Sequence, residues 1–349
     1  MTSPRIAGNR RQIDSGGSEP DFELRPAVLV GETADIYFHR SLSVLRDEQI
    51  NPVVVMDFVP ERSGILCGIK EVKALLNKVL PEGNLGGCSA LLEGDPIDAK
   101  EVALRIKAPY SNFGLYETAI CGILSQSSGW ASAAHNIVEA AHDIPVICYG
   151  ARHVHPNVVP ILDYSAVIGG CVSCSTALGA KLAGVTPSGT MPHAMILCIG
   201  DTVKSVQLFD KHMPPEVPRI ALVDTFQDEA QESIAVANAL QGKLRGVRLD
   251  TPRERGRVTT ELVEEVRARL DQSGYQRVEI FVSGGLTLER VKEFVESGCP
   301  VDAFGIGTEI SSAKPNNFTA DIHEIDGKPL AKRGRIPGVQ SNPKLQPLF

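Results

Sequence analysis

His193 lies in the stretch Thr186–Met195, Thr-Pro-Ser-Gly-Thr-Met-Pro-His-Ala-Met, a loop that two prolines stiffen and one glycine relaxes. An imidazole titrates near neutral pH and serves as a nucleophile or base when a partner holds it. Without a partner, a loop histidine is an ordinary polar surface residue. Two aspartates follow: Asp224 in Val223-Asp-Thr225, and Asp250 in Gly246-Val-Arg-Leu-Asp250, with Arg248 two residues before it. Carboxylates at such places accept hydrogen bonds from sugar hydroxyls, stabilise positive charge developing on a sugar ring, or help hold Mg2+. Their alternative use is to cap the helices that follow.

Anion-binding chemistry is suggested twice more. Gly150-Ala-Arg152 offers a planar guanidinium fork that matches a carboxylate or phosphate. Ser283-Gly284-Gly285 and Gly305-Ile-Gly307-Thr308 each follow an apolar run and precede a helical one. Glycines there let backbone approach a phosphate while the helix start supplies free N–H groups. Either glycine pair alone is also a plain tight turn; two neighbouring ones point to a phosphate site. His153 and His155 lack a third ligand, so no zinc site is expected. The spacing Cys171-Val-Ser-Cys174 reads as small-residue packing at a helix start.

These groups need strands and helices to position them. Residues 25–115 read as an α+β open sheet. Its strands are expected at Pro26–Val30, Val53–Met56, Ile65–Cys67, Ser89–Leu92 and Val102–Ile106, and its helices at about 40–48 and 69–79. A long proline-free helix follows, from Tyr116 to about His142. Short apolar runs then alternate with helical segments: Ile144–Tyr149, Ala166–Ile168, Ser188–Met191, Ile220–Asp224, Gly246–Leu249, Val278–Val282 and Ala303–Ile306. Apolar spacing of three and four marks the helices, as in Leu262, Val263, Val266, Leu270 and in Leu288, Val291, Phe294, Val295. Repeated β-then-α order implies parallel strands, here an irregular seven-stranded β/α barrel over residues 116–310. In such barrels functional groups sit at the C-terminal strand ends, where all the candidates above fall. Residues 311–335 read as a hairpin rejoining the N-terminal sheet, and residues 1–24 and 336–349 as a disordered tail and a loose tail.

The chain has 349 residues, 43% hydrophobic and 22% charged, with net charge -7. That is the balance of a soluble globular protein, and it excludes nucleic-acid binding through a general positive field. No membrane role is expected. The uncharged stretch Tyr164–Ala180 has too few large apolar residues for a span and reads as a buried strand leading into a helix. Eight scattered cysteines fit reduced thiols in a cytoplasmic protein.

Gly189-Thr-Met-Pro-His-Ala194, Ser283-Gly-Gly-Leu286, Phe304-Gly-Ile-Gly-Thr-Glu309, Glu32-Thr-Ala-Asp-Ile-Tyr-Phe38 and Gly150-Ala-Arg152 resemble motifs of nicotinate phosphoribosyltransferases of the shorter prokaryotic type. The similarity runs in the expected order from about Pro26 to Ile310. The resemblance implies a type II phosphoribosyltransferase fold. It implies transfer of ribose 5-phosphate from phosphoribosyl pyrophosphate to nicotinate, with Mg2+ and with ATP hydrolysis coupled through a phosphohistidine. It implies His193 as the phosphorylated residue, with Asp224, Arg248 and Asp250 facing ribose and pyrophosphate. Tyr37 would stack on the pyridine ring from a partner subunit, in a homodimer or higher assembly with a shared active site. Arg152 would hold the nicotinate carboxylate, with Ser173 and Ser175 beside it. Ser283, Gly284, Gly285, Gly305, Gly307 and Thr308 would bind the 5-phosphate. Two departures matter. No cysteine follows Cys299, so the structural zinc knuckle of some relatives is not expected. No aspartate follows Gly169-Gly170, which leans the substrate toward an acid rather than an amide. Quinolinate phosphoribosyltransferase and a non-catalytic phosphate-ligand binder on the same fold are the rival readings.

Overall fold

The computed structural model describes residues 20–349, which form two compact units. Most of the expected tail over residues 1–24 lies outside the described residues; within 20–24, Phe22 is buried.

One unit comprises residues up to 133 together with 313–349. Its strands are β1 (Val53–Pro60), β2 (Gly64–Ile65), β3 (Cys88–Ala90), β4 (Pro96–Ile97), β5 (Leu104–Pro109), β12 (Phe318–Ile325), β13 (Lys328–Pro329) and β14 (Gln346–Pro347). Six of them form an antiparallel sheet in the order β13-β12-β1-β5-β3-β14, and β2 pairs with β4. Alternation along β1 turns Val54, Met56 and Phe58 to one face. There they meet Leu104 and Ile106 of β5 and the inner side of helix Ile69–Val79, which contributes Ile69, Val72, Leu75 and Leu76. Each such side chain, fully buried, is worth about 1.5–3 kcal/mol. Asp57 points the other way and is 1% exposed. The guanidinium of Arg105, opposite it on β5, grips it through Nε at 2.6 Å and Nη2 at 2.7 Å.

Two expectations here are corrected. Pro26–Leu29 is a single helical turn, not a strand, because Pro26 at its first position presets helical φ. Residues 336–349 are not a loose tail: β14 pairs with β3, Leu348 N–H donates to the Cys88 carbonyl, and the Gln340 carbonyl accepts from Arg105. The second helix spans Ile36–Asp47.

The other unit covers residues 134–312 among the described ones. Six parallel strands build it: β6 (Val146–Cys148), β7 (Ser173–Cys174), β8 (Ile220–Leu222), β9 (Gly246–Leu249), β10 (Glu279–Val282) and β11 (Ala303–Ile306). Most of their side chains are buried, the pattern of a parallel sheet covered on both faces. The order β7-β6-β11-β10-β9-β8 joins the last strand to the first, so the curled sheet is a β/α barrel with one break, between β7 and β8. Helices Thr260–Gln272 and Leu288–Glu296 pack Val263, Val266, Leu270 and Val291, Phe294 inward.

The break explains the strand count. Ser188–Met191, expected as a strand, forms no ladder; its one sheet-like contact is Ser188 N–H to the Cys174 carbonyl at 2.8 Å. Flanking prolines Pro187 and Pro192 remove the donors a ladder needs. Ala166–Ile168 is the end of helix Val159–Ile168, and the strand falls at β7 instead. A short apolar run carries no periodicity that separates helix from strand.

Candidate active site

The loops after β8, β9 and β10 bring their polar groups together. The Asp224 carboxylate accepts the backbone N–H of Asp250 through Oδ2 at 2.9 Å. Asp250 in turn accepts Ser283 Oγ at 2.9 Å through Oδ1 and Arg248 Nη2 at 3.2 Å through Oδ2. Neither aspartate caps a helix. Asp228 caps the helix Glu229–Leu240 and Thr259 the helix Thr260–Gln272, which frees Asp224 and Asp250 for other work.

His193 faces this pair. It is not in a loop but opens the short helix His193–Ile199, because Pro192 before it is extended and ends the preceding segment. Its Nε2 lies 3.7 Å from both Asp224 Oδ1 and Asp250 Oδ2, an ion-pair distance too long for a direct hydrogen bond. Nδ1 lies 3.1 Å from Thr225 Oγ1. The Asp250 carboxylate raises the His193 pKa most, burial opposes it, and Asp224 adds to the rise. Burial is also the main reason the Asp224 pKa is pushed up to about 6, with the charge of Asp250 adding to it. On Asp250 burial acts upward too, but His193, Arg248 and Ser283 outweigh it and hold the carboxyl low. Asp250 and Asp224, which accepts the Asp250 N–H, are thus driven to different protonation behaviour, as acid–base sites require.

Arg248 leans over the Tyr149 ring at 5.7 Å and donates to Thr190 Oγ1 at 2.8 Å. Its Nε is buried without a hydrogen-bond partner, as is Asp224 Oδ1. Unsatisfied buried groups of opposite charge in one cluster mark a place made for a polar ligand. Gly284 and Gly285 both have positive φ, 91° and 68°, so the turn after Ser283 requires glycine. Arg257 lies on that turn, donating to the Gly285 carbonyl at 2.9 Å. Gly305 serves a different end: a Cβ there would stand 2.5 Å from the Tyr149 ring, so it makes room for the platform under Arg248. A Cβ at Gly307 would stand 2.8 Å from the His153 ring.

The remaining candidates fall around this cluster with other contacts. Ser173 is buried and donates to the Thr186 carbonyl at 2.7 Å, which ties the segment leading to His193 to β7. Ser175 is half-buried, and Arg152 is exposed on the 3-10 turn Ala151–His153. Thr308 is exposed at the start of helix Thr308–Ser311. Tyr37 belongs to the other unit, is 55% exposed, and donates to Asp35 Oδ2 at 3.3 Å. His155 Nδ1 accepts the Asn157 N–H. Cys171 and Cys174 are buried, and burial pushes both thiols up, Cys174 to about 12. They pack near Asp163, which accepts Thr176 Oγ1 at 2.6 Å at the start of helix Ala177–Ala183. Thr225 and Tyr149 carry no signal in the sequence beyond being ordinary residues beside a strand end, Arg257 is one of several arginines in the segment after β9, and Thr190 lies inside the Gly189–Ala194 motif without being singled out there.

Among the described residues no group of three or more His, Cys, Asp and Glu side chains is arranged to hold a metal ion. The orphaned Asp224 Oδ1 beside Asp250 suits Mg2+ that arrives with a ligand's own oxygens, since Mg2+ commonly takes one or two carboxylates plus substrate phosphates.

Residues 130–321 match the quinolinate phosphoribosyl transferase C-terminal domain, and residues 35–128 match the N-terminal domain of the same family. A nicotinate phosphoribosyltransferase of Mycobacterium tuberculosis is 31% identical over 232 residues, 66% of this chain and 49% of that protein. One of Bacillus subtilis is 24% identical over 250 residues, 68% of this chain and 49% of that protein. The chain spans about half the length of these curated relatives. Among solved structures, nicotinate-nucleotide pyrophosphorylase from Pyrococcus furiosus is 43% identical with a TM-score of 0.83, covering 92% of this chain and 82% of its own. Human nicotinic acid phosphoribosyltransferase, 17% identical with a TM-score of 0.67 over 87% of this chain and 77% of its own, shares the fold. With both domains of the family matched in order, the chain belongs to the quinolinate phosphoribosyl transferase family.

Proposed function

We propose that this protein transfers the 5-phosphoribosyl group from phosphoribosyl pyrophosphate to nicotinate, giving nicotinate mononucleotide and pyrophosphate, with ATP coupled through phosphorylation of His193. The observation that carries the reading is the histidine set 3.7 Å from two carboxylates. Departure of pyrophosphate leaves positive charge on the ribose ring, which Asp224 and Asp250 are placed to stabilise. Arg248 and Arg257, with the Ser283–Gly285 turn, offer donors to the phosphates. Mg2+ held by Asp224 and Asp250 supplies charge neutralisation on the pyrophosphate when bound. Arg152 takes the nicotinate carboxylate, with Ser173 and Ser175 beside it, and Gly305, Gly307 and Thr308 border the 5-phosphate. Tyr37 stacks on the pyridine ring of a neighbouring subunit's site, so the active form is a homodimer or larger. Nicotinate phosphoribosyltransferase is also the name borne by the curated relatives.

Quinolinate is the second reading, favoured by the solved relative of 43% identity, a nicotinate-nucleotide pyrophosphorylase. Its two carboxylates call for more cations than Arg152 and its flanking histidines supply, and its chemistry has no need of a phosphorylated histidine. One assay separates the two. Purified protein with phosphoribosyl pyrophosphate and Mg2+ is given nicotinate, nicotinamide or quinolinate, with and without ATP. Nicotinate mononucleotide from nicotinate, stimulated by ATP in the wild type and not in His193→Ala, is the expected outcome. Release of CO2 from quinolinate establishes the second reading, and ligand binding without turnover overturns both.

A further inference from the structure

The first turn of the helix Glu229–Leu240 carries two carboxylates that the proposed reaction does not use. Glu229 and Glu232 are each 4% exposed and lie three residues apart, on one helix face. A buried carboxylate is costly unless its oxygens are satisfied, so what these two hold is informative. Glu232 takes three consecutive backbone N–H groups of the loop after β8: Thr225 at 3.3 Å, Phe226 at 3.1 Å and Gln227 at 3.3 Å. It also accepts Thr202 Oγ1 at 2.7 Å. Glu229 takes Thr251 Oγ1 at 2.6 Å, the residue next to Asp250. One helix turn therefore grips both loops that carry the aspartates. Neither glutamate touches His193. Thr225 does, through Oγ1 at 3.1 Å from Nδ1, and it is the only side chain among the described residues hydrogen-bonded to that ring.

We propose that Glu232 and Thr225 are positioning residues for His193: Glu232 fixes the loop backbone, and the Thr225 hydroxyl fixes the imidazole so that Nε2 stays against Asp224 and Asp250. The physical ground is geometric. At 3.7 Å the two carboxylates attract the ring without directing it, since ion pairing at that distance has little angular preference. The hydrogen bond at Nδ1 is directional, and it ends on a loop that cannot move while three of its amides are held. Placement of this quality matters because a misplacement of about 1 Å costs on the order of 100-fold in rate. The charged groups facing the ring are Asp224, Asp250 and Arg248; the carboxylates raise its pKa and Arg248 lowers it. A ring released from Thr225 is free to turn, and Nε2 loses its place against the carboxylates. The catalytic part of this inference rests on the phosphohistidine reading above; the positional part does not.

The test uses the full chain. Thr225→Val keeps the shape and removes the hydroxyl, Thr225→Ser restores it, and Glu232→Gln keeps the volume but cannot accept at both oxygens. The position of the His193 ring is read from crystal structures of the variants, and incorporation of labelled phosphate from γ-labelled ATP is followed in parallel. In Thr225→Val and Glu232→Gln the ring is expected to turn or shift so that Nε2 leaves Asp224 and Asp250, while Thr225→Ser keeps it in place. Labelling by Thr225→Val and Glu232→Gln should slow about 10- to 100-fold with KM for ATP changed little, and Thr225→Ser should recover most of it. A folded Thr225→Val protein with the ring in its wild-type position and wild-type labelling overturns the proposal, as does a Ser variant that behaves like Val. Absence of label in the wild type would defeat the ATP-coupled reading alone, since the ring position would still decide the positional one.

Discussion

Asp250 is the residue on which the cluster turns. It accepts from Ser283 and Arg248, gives its backbone N–H to Asp224, and is the largest influence raising the His193 pKa. Asp250→Asn keeps the shape and removes the charge. His193 should then titrate nearer its ordinary 6.5, and Asp224 should fall from about 6, because Asp250 raises both; an NMR titration in which neither midpoint drops would show that the carboxylate does not govern them. The sign for stability follows from linkage. A folded-state pKa above the unfolded one contributes stability that is complete below the unfolded value and lost as pH rises through the folded value. For Asp224 that loss runs from about 3.8 to about 6, and for His193 it begins near 6.5. The Asp224 contribution therefore fades on going from acid toward neutral pH, as its carboxyl gains charge, and the His193 contribution fades from near neutral upward, as the ring loses its charge. His193, Asp224, Arg248, Asp250 and Ser283 are residue types that stand out beside strand ends, and the structure brings these five together. Thr225 and Glu232 do not stand out, because a threonine after a strand and an acid in a first helical turn are what any helix start can carry.

At the scale of elements, the turn after β10 and the strand β11 use glycine for two different reasons. Gly285→Ala must accept a φ of 68° and a Cβ 1.5 Å from Arg257 Nη1, so the arginine is pushed off its carbonyls. Gly298 has a similar φ of 71° with nothing near it. Both substitutions should cost about 1 kcal/mol from backbone strain. Only Gly285→Ala should also raise KM for phosphoribosyl pyrophosphate, several-fold; equal KM effects in the two variants would remove Arg257 from the phosphate turn. Element boundaries were legible where periodicity was long. Helix Ile69–Val79 and the helices carrying Val263 and Val291 follow directly from apolar spacing. Ala166–Ile168 was not legible, because three apolar residues at the end of Val159–Ile168 fit a strand as well as a helix, and only packing decides. Ser188–Met191 has the residues of a strand and forms none, because its flanking prolines weigh more than its short run of strand-like residues.

For the molecule as a whole, the type II phosphoribosyltransferase family was readable from motif order and the β/α barrel from the alternation of strands and helices, while the long-range ties were not. No helix among the described residues is long and apolar enough to cross a membrane. Asp57 on β1 depends on Arg105, whose remaining Nη2 bond goes to Gln340, a residue 235 positions further along the chain. Nothing local in the sequence announces that link. Arg105→Ala leaves a carboxylate that is 1% exposed without its bidentate partner. Loss of one member of such a pair costs about 3–5 kcal/mol, so the denaturant midpoint of the unit containing the antiparallel sheet should fall sharply. A midpoint within experimental error of wild type would mean the pair is dispensable. The barrel is tied in another way, by the β11–β6 ladder that returns the sheet to its first strand. Its break between β7 and β8 falls at Ser188–Met191, immediately before His193. In a closed ring every strand end is held by ladder bonds on both sides, whereas a split ring leaves one place without them. The histidine is mounted on that cut, so no strand ladder fixes its distance from the aspartates, and the Nδ1 contact with Thr225 is left to do so.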